Sequence, residues 1–117
     1  MNRSKMFVFG DNDLRQGYGG QAREMRGESN AVGIRVKKSP SMNDTAFYSD
    51  EEYPDNIRKI CEDIDKLERT SGSIVFPSSG VGMGFAQLNM RAPITFKYLC
   101  EELYKRFGIS NIEKGII

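Results

Sequence analysis

Three short apolar runs, each separated from the next by a helix-forming stretch, constrain this chain more than any other feature. Lys5–Phe9 (KMFVF), Ala31–Val36 (AVGIRV) and Ser73–Phe76 (SIVF) are rich in strand formers and too short for buried helices. Gln21–Arg26 (QAREMR), closed by Gly27, predicts a helix of about two turns. Pro54–Arg69 is the clearest helix: Ile57, Ile60, Cys61, Ile64 and Leu67 recur at three- and four-residue steps, and Pro54 suits a first turn. Arg91–Phe107 repeats the pattern with Phe96, Leu99, Cys100, Leu103 and Phe107 on the inner face, and Gly108 caps it. This order forces parallel pairing with right-handed crossovers. The expected fold is α/β, a small three-layer sandwich with a mostly parallel sheet, helices on both faces and strands buried on both sides.

The 117 residues fit one domain, 1–117. Charge is nearly balanced, with 17 Lys plus Arg against 16 Asp plus Glu, which removes the usual argument for a phosphate-tracking nucleic-acid binder. Met6–Phe9 is the longest apolar stretch, far too short for a membrane span or a signal-peptide core. Cys61 and Cys100 lie far apart without metal-ligand spacing, so neither a disulfide framework nor a metal site is indicated, and the cytoplasm is the expected compartment. Histidine is absent. That excludes Ser-His and Cys-His nucleophile pairs, histidine general bases and most zinc sites. Any chemistry falls to carboxylates, lysines, hydroxyls or backbone amides, and no cofactor motif is present.

In a parallel sheet the loops that follow the strands emerge at one edge, where ligands bind. Asp11, Asn12 and the Gly17-Tyr18-Gly19-Gly20 turn follow the first strand, and Lys37, Lys38 and Ser39 the second. Ser78, Ser79 and Gly80-Val81-Gly82-Met83-Gly84 follow the third. Glycines let backbone N–H groups approach an anion, and a helix opened by Gly19-Gly20 adds partial positive charge. Gly80–Gly84 would form an amide nest for a second phosphate. Neither loop has the GxxxxGK[ST] or GxGxxG spacing. Each residue also has a plainer reading. The glycines serve turn geometry equally well, Asn12 caps its own turn, and Lys37 and Lys38 are solvated edge charges. Phe47, Tyr48 and Phe85 either stack on a base or cover a loop. Cys61 and Cys100 are packing residues, and the Glu51-Glu52 and Glu101-Glu102 pairs are solvent faces. Ser39–Tyr53 has no clean period and reads as an ordered-to-mobile surface loop of the length that often carries function.

The strand Met6–Phe9 leading into a Gly/Asn loop and GYGGQA, with a later strand ending at PSSGVGMGFAQL ahead of an Ala-Pro helix, resembles the macrodomain-like α/β family. The small, Rossmann-like forms of bacteria and their phages are the nearest in kind, and the resemblance spans most of residues 5–107. It implies binding of ADP-ribose or a related nucleotide. Gly17, Gly19 and Gly20 resemble the glycine turn beside ribose and diphosphate, and Asn12 the polar residue facing the distal ribose. Gly80–Phe85 is similar to the second diphosphate loop, with Phe85 packed against ribose. Lys37, in GIRVKK, resembles the nucleophilic lysine of the lysine-dependent ADP-ribosyl glycohydrolases. The acidic residue that follows the second glycine loop in that branch is Ala86 here, so Asp11, Asp13 or Asp44 would have to substitute.

These readings give three expectations. The first is a nucleotide-binding module, holding its ligand through Asn12, Gly17, Gly19, Gly20 and Ser78 to Phe85, with Ser39–Tyr53 closing over it. If phage-encoded, it would sequester or degrade a nucleotide made by host defence. The second is a hydrolase that removes ADP-ribose from a modified protein or nucleic acid, with Lys37 or Asp11 catalytic. The third is a protein-interaction or inhibitor module that uses the 39–53 loop.

Overall fold

A computed structural model describes residues 5–17, 19, 22–70 and 72–111. The expected positions Tyr18, Gly20, Gln21 and the Ile116-Ile117 tail lie outside them. The elements are β1 (Lys5–Asn12), α1 (Ala22–Met25), β2 (Ala31–Lys37), α2 (Tyr53–Glu68), β3 (Ser73–Val75), α3 (Leu88–Arg91) and α4 (Pro93–Phe107). Single turns of 3-10 helix cover Asp44–Ala46, Asp50–Glu52 and Gly84–Ala86. The sheet has three strands in the order β2-β1-β3, and both pairings are parallel. The fold is therefore α/β, as the order of runs predicts. Among the described residues no helix is long and apolar enough to cross a membrane.

Burial alternates along β2, which the sequence conceals by placing Ala31 and Gly33 on the less buried side. Val8, Val32, Ile34 and Val36 form one core with Ile60, Ile64 and Leu67 of α2 and Leu99 and Leu103 of α4. Both long helices thus share one face of the sheet. Among the described residues the helix on the opposite face is the four-residue α1, whose Ala22 is buried and is followed by Arg26, stacked 5.6 Å from the centre of the Phe9 ring. The second helical layer is thinner than expected.

Three boundaries differ from the sequence expectation. β1 does not stop at Gly10: Gly10 pairs with Ile34 and Asp11 with Arg35, and the register slips between Asp11 and Asn12. The last helix divides at Ala92 (φ −142°, ψ 67°), because a residue before proline is pushed out of the helical region. Finally, 39–53 is not a free lid. Ala46, Phe47 and Tyr48 are buried, and Lys37 bridges Phe47 in antiparallel fashion. The Tyr48 hydroxyl donates to Asp13 (2.6 Å), which also accepts from Lys59 (2.7 Å). Burial first, then that hydrogen bond, pushes the Tyr48 hydroxyl far above its ordinary pKa.

α4 is capped from a distance: Asp50 accepts the N–H groups of Ile94 and Thr95, both at 2.9 Å, and the Thr95 hydroxyl. Glu102 is buried and held by Arg106, so the Glu101-Glu102 pair is not simply a solvent face. The free edge of β2 is sealed by side chains. Gly33 O accepts Arg15 Nη1 (2.9 Å), and the Arg35 N–H donates to Asp63 Oδ2 (2.7 Å). An end strand otherwise offers these groups to another chain.

Candidate functional site

At the end of β1 the chain buries a carboxylate. Asp11 fits because Gly33, on the neighbouring strand, has no side chain: a Cβ there would sit 2.6 Å from Asp11 Oδ2. Its Oδ2 accepts Arg15 Nη1 (3.0 Å), and its Oδ1 accepts Arg26 Nη2 (2.5 Å) and the Asn12 N–H (2.8 Å). Both oxygens of the expected catalytic Asp11 are thus occupied by donors. Arg15, in the left-handed region at φ 55°, also reaches Asp63 (2.8 Å), which is bound in turn by Arg35. Asn12 follows its plainer reading. Its Oδ1 accepts from Leu14 N–H (3.1 Å) and its Nδ2 donates to Gln16 O (2.7 Å), so the side chain closes its own turn.

Arg26 fixes the next stretch. Its Nε donates to Gly17 O (2.5 Å) and its Nη2 to Gln16 O (3.0 Å). Gly17 takes φ +90° and lies close to Pro40, with 2.9 Å between a Cβ built on it and Pro40 Cβ. Glycine is required there. The following helix, four residues long, is too short for the dipole contribution expected of it.

Lys37 ends β2 and is buried. Its Nζ donates to Ser41 O (2.5 Å) and lies 3.4 Å from both Pro40 O and Met42 Sδ. It also sits 4.7 Å from the centre of the Phe47 ring, which Arg91 approaches to 3.8 Å. Among the described residues it has no carboxylate partner. Burial, and then the positive charge of Arg91, lower its pKa below the ordinary lysine value. Lys38 behaves as a surface charge and pairs with Glu52.

The glycine-rich segment after β3 divides in two. Its first part is structural: the Val81 N–H donates to Asn111 Oδ1 (2.8 Å), Asn111 Nδ2 returns a bond to Val81 O (2.9 Å), and the Gly80 N–H donates to Pro77 O. Gly80 takes φ +85° where a Cβ would strike Met83, and a Cβ on Gly82 would press on Leu88 and Leu99. The second part is open. Among the described residues the backbone N–H groups of Gly82, Met83, Gly84 and Phe85 have no partner.

These pieces meet in one cleft of about 660 Å³ at the carboxyl edge of the sheet. Of the residues expected there, Asp11, Asn12, Gly17, Gly19, Lys37, Ser79, Gly82, Met83, Gly84 and Phe85 line it. Ser78, Gly80 and Val81 do not, and Gly20 lies outside the described residues. Phe47 and Tyr48 are buried cover, whereas Phe85 is 61% exposed at the cleft. Sequence reasoning missed Arg26, Gln16 and Met42, which also line it. The signal for Arg26 was its place one helix away from a glycine turn and an aspartate. Arg26 and Lys37 against Asp11 leave the lining with an excess of positive charge.

A model of a family of unknown function (DUF7831) matches residues 1–102. The chain belongs to that family. The match takes in all three strands, both glycine-rich turns and Lys37, so the cleft lies wholly within the family's region. No curated protein and no solved structure matches the chain.

Proposed function

We propose that the cleft binds ADP-ribose or a closely related nucleotide. One observation carries the reading: two glycine turns distant in sequence open into the same hollow, which also holds the Lys37 ammonium and backbone N–H groups without a partner among the described residues. Successive free amides suit a diphosphate, because they bring partial positive charge without a side chain in the way. A lysine that faces carbonyls and a thioether, with no carboxylate among the described residues, keeps its charge available to an anion. Phe85, exposed at the mouth, offers a ring face to ribose or base.

A hydrolytic reading rests on Lys37, whose lowered pKa suits a nucleophilic amine. Its three hydrogens already meet Ser41 O, Pro40 O and Met42 Sδ, however, so in this arrangement the nitrogen has no free lone pair. Binding is the better-supported reading. The test is calorimetric titration with ADP-ribose of the parent protein and of Gly84→Glu. Gly84 has open space around a built Cβ, whereas Gly82 does not, so this variant places a carboxylate beside the free amides at modest backbone strain. Saturable heat in the parent and none in the folded variant is expected. No heat from the parent at millimolar ligand, or equal binding by both, would overturn the proposal.

A further inference from the structure

We infer that Arg26, locked in place by Asp11, is the charged anchor of an anion site at the first glycine turn, and takes an oxygen of a diphosphate. The inference rests on the reading of the cleft as a nucleotide site and names the side chain on which that reading would turn. A guanidinium has five N–H donors. Three are used: Nε on Gly17 O, and the two of Nη2 on Asp11 Oδ1 and Gln16 O. The Nη1 amino group has no partner among the described residues, and the side chain, only 12% exposed, lines the cleft. Stacking on Phe9 removes most remaining freedom. A charged donor pair is therefore held in a fixed position before any ligand arrives, which is the costly part of binding an anion.

The same contacts orient the backbone. Every described peptide is trans, so a carbonyl and the following N–H point in opposite directions. With Gln16 O turned to the guanidinium, the Gly17 N–H is turned away from it, and it has no partner among the described residues. Arg26 thus acts twice, as ligand donor and as positioning residue for the turn. Asp11 becomes the residue that aims the arginine. Its second oxygen is held by Arg15, so neutralising Asp11 would loosen Arg26 without removing it.

The probe is inorganic pyrophosphate, followed by NMR of backbone amides and of the arginine side-chain N–H groups. In the unaltered protein the Arg26 guanidinium and Gly17 resonances should shift along one binding curve. Arg26→Gln should weaken pyrophosphate about tenfold or more, since a charged hydrogen-bond donor is lost. Arg26→Lys should recover part of the affinity but not the Gly17 shift, because a single ammonium lacks the planar fork that meets Gly17 O, Gln16 O and Asp11 together. Asp11→Asn should weaken binding less than Arg26→Gln. If the Gly82–Phe85 amides move while Arg26 and Gly17 stay still in the unaltered protein, the inference is wrong, whether or not the variants fold. Pyrophosphate shifts at Arg26 without any response to ADP-ribose would instead keep the anion site and overturn the nucleotide reading.

Discussion

Gly33→Ala places a methyl group where the structure has no room for one. The new Cβ would lie 2.6 Å from Asp11 Oδ2, 2.7 Å from Asp11 Cβ and 2.9 Å from Asp11 Cγ. Rotating the aspartate side chain moves Oδ2 and Cγ, but its Cβ is fixed to the backbone, so the adjacent strands must shift. Overpacking of this kind costs about 1–3 kcal/mol. The displaced carboxylate also strains its bonds from Arg15 and Arg26, each worth about 1.5–3 kcal/mol when intact. Arg15 is 41% exposed, so water recovers part of its share. A net loss of about 3 kcal/mol follows, roughly 10 °C in Tm for a domain of this size. Urea unfolding followed by far-ultraviolet circular dichroism measures it. In an Asp11→Ala background the same substitution should cost clearly less, because only the Cβ contact survives. A loss below about 1 kcal/mol, or an identical loss in both backgrounds, would refute the coupling between Gly33 and the buried carboxylate.

The other predictions concern the elements around the cleft. Asp63→Ala leaves the Arg35 N–H and guanidinium without their buried acceptor and should cost about 3–5 kcal/mol by denaturant unfolding; a loss under about 1 kcal/mol would show that the sheet edge does not depend on it. Asp50→Ala should cost about 1–2 kcal/mol at neutral pH through loss of the α4 cap. Burial raises the Asp50 pKa, but the bonds from Ile94 and Thr95 outweigh this and hold it below the ordinary value. Its stabilisation is therefore present above the unfolded-state pKa and lost as pH falls through the lower folded one, so parent and variant melting curves should converge in acid. Lys37 has the opposite linkage. Its lowered pKa means the unfolded chain binds the proton more tightly, so the parent's stability should rise as pH climbs towards the ordinary lysine value, and Lys37→Met should lose that rise in denaturant unfolding followed against pH. Phe85→Ala should leave stability within about 0.5 kcal/mol, since the ring is largely exposed, while weakening nucleotide binding in calorimetry.

The elements that could be read directly were those whose cause is local. The stripe Ile60, Ile64 and Leu67 is buried in α2, Leu99, Cys100 and Leu103 are buried in α4, and Gly108 ends α4 at φ +67°. The carboxyl-edge rule brought Gly17, Gly19, Gly82 and Gly84 to one cleft because parallel topology leaves little choice. What was hidden has a partner far along the chain. Gly33 looks like a flaw in a strand until Asp11 is placed beside it. Asp63 looks like a solvent charge on α2, yet it is buried against the backbone of Arg35. Arg15 and Arg26 are embedded in turn and helix formers and belong to no period or motif; for Arg26 the one pointer was its place close to the glycine turn and Asp11. Gly80 matches an anion loop by composition, and only the Asn111 contact to Val81 shows that stretch bound to the C-terminal segment.

A titration with ADP-ribose followed residue by residue in backbone amide NMR tests the central claim most directly. The account predicts that Gly17 and Gly19, together with Gly82 to Phe85, shift along a single saturation curve while the α4 surface around Tyr104 stays unchanged. Shifts confined to one of the two turns, or none at millimolar ligand, would contradict it.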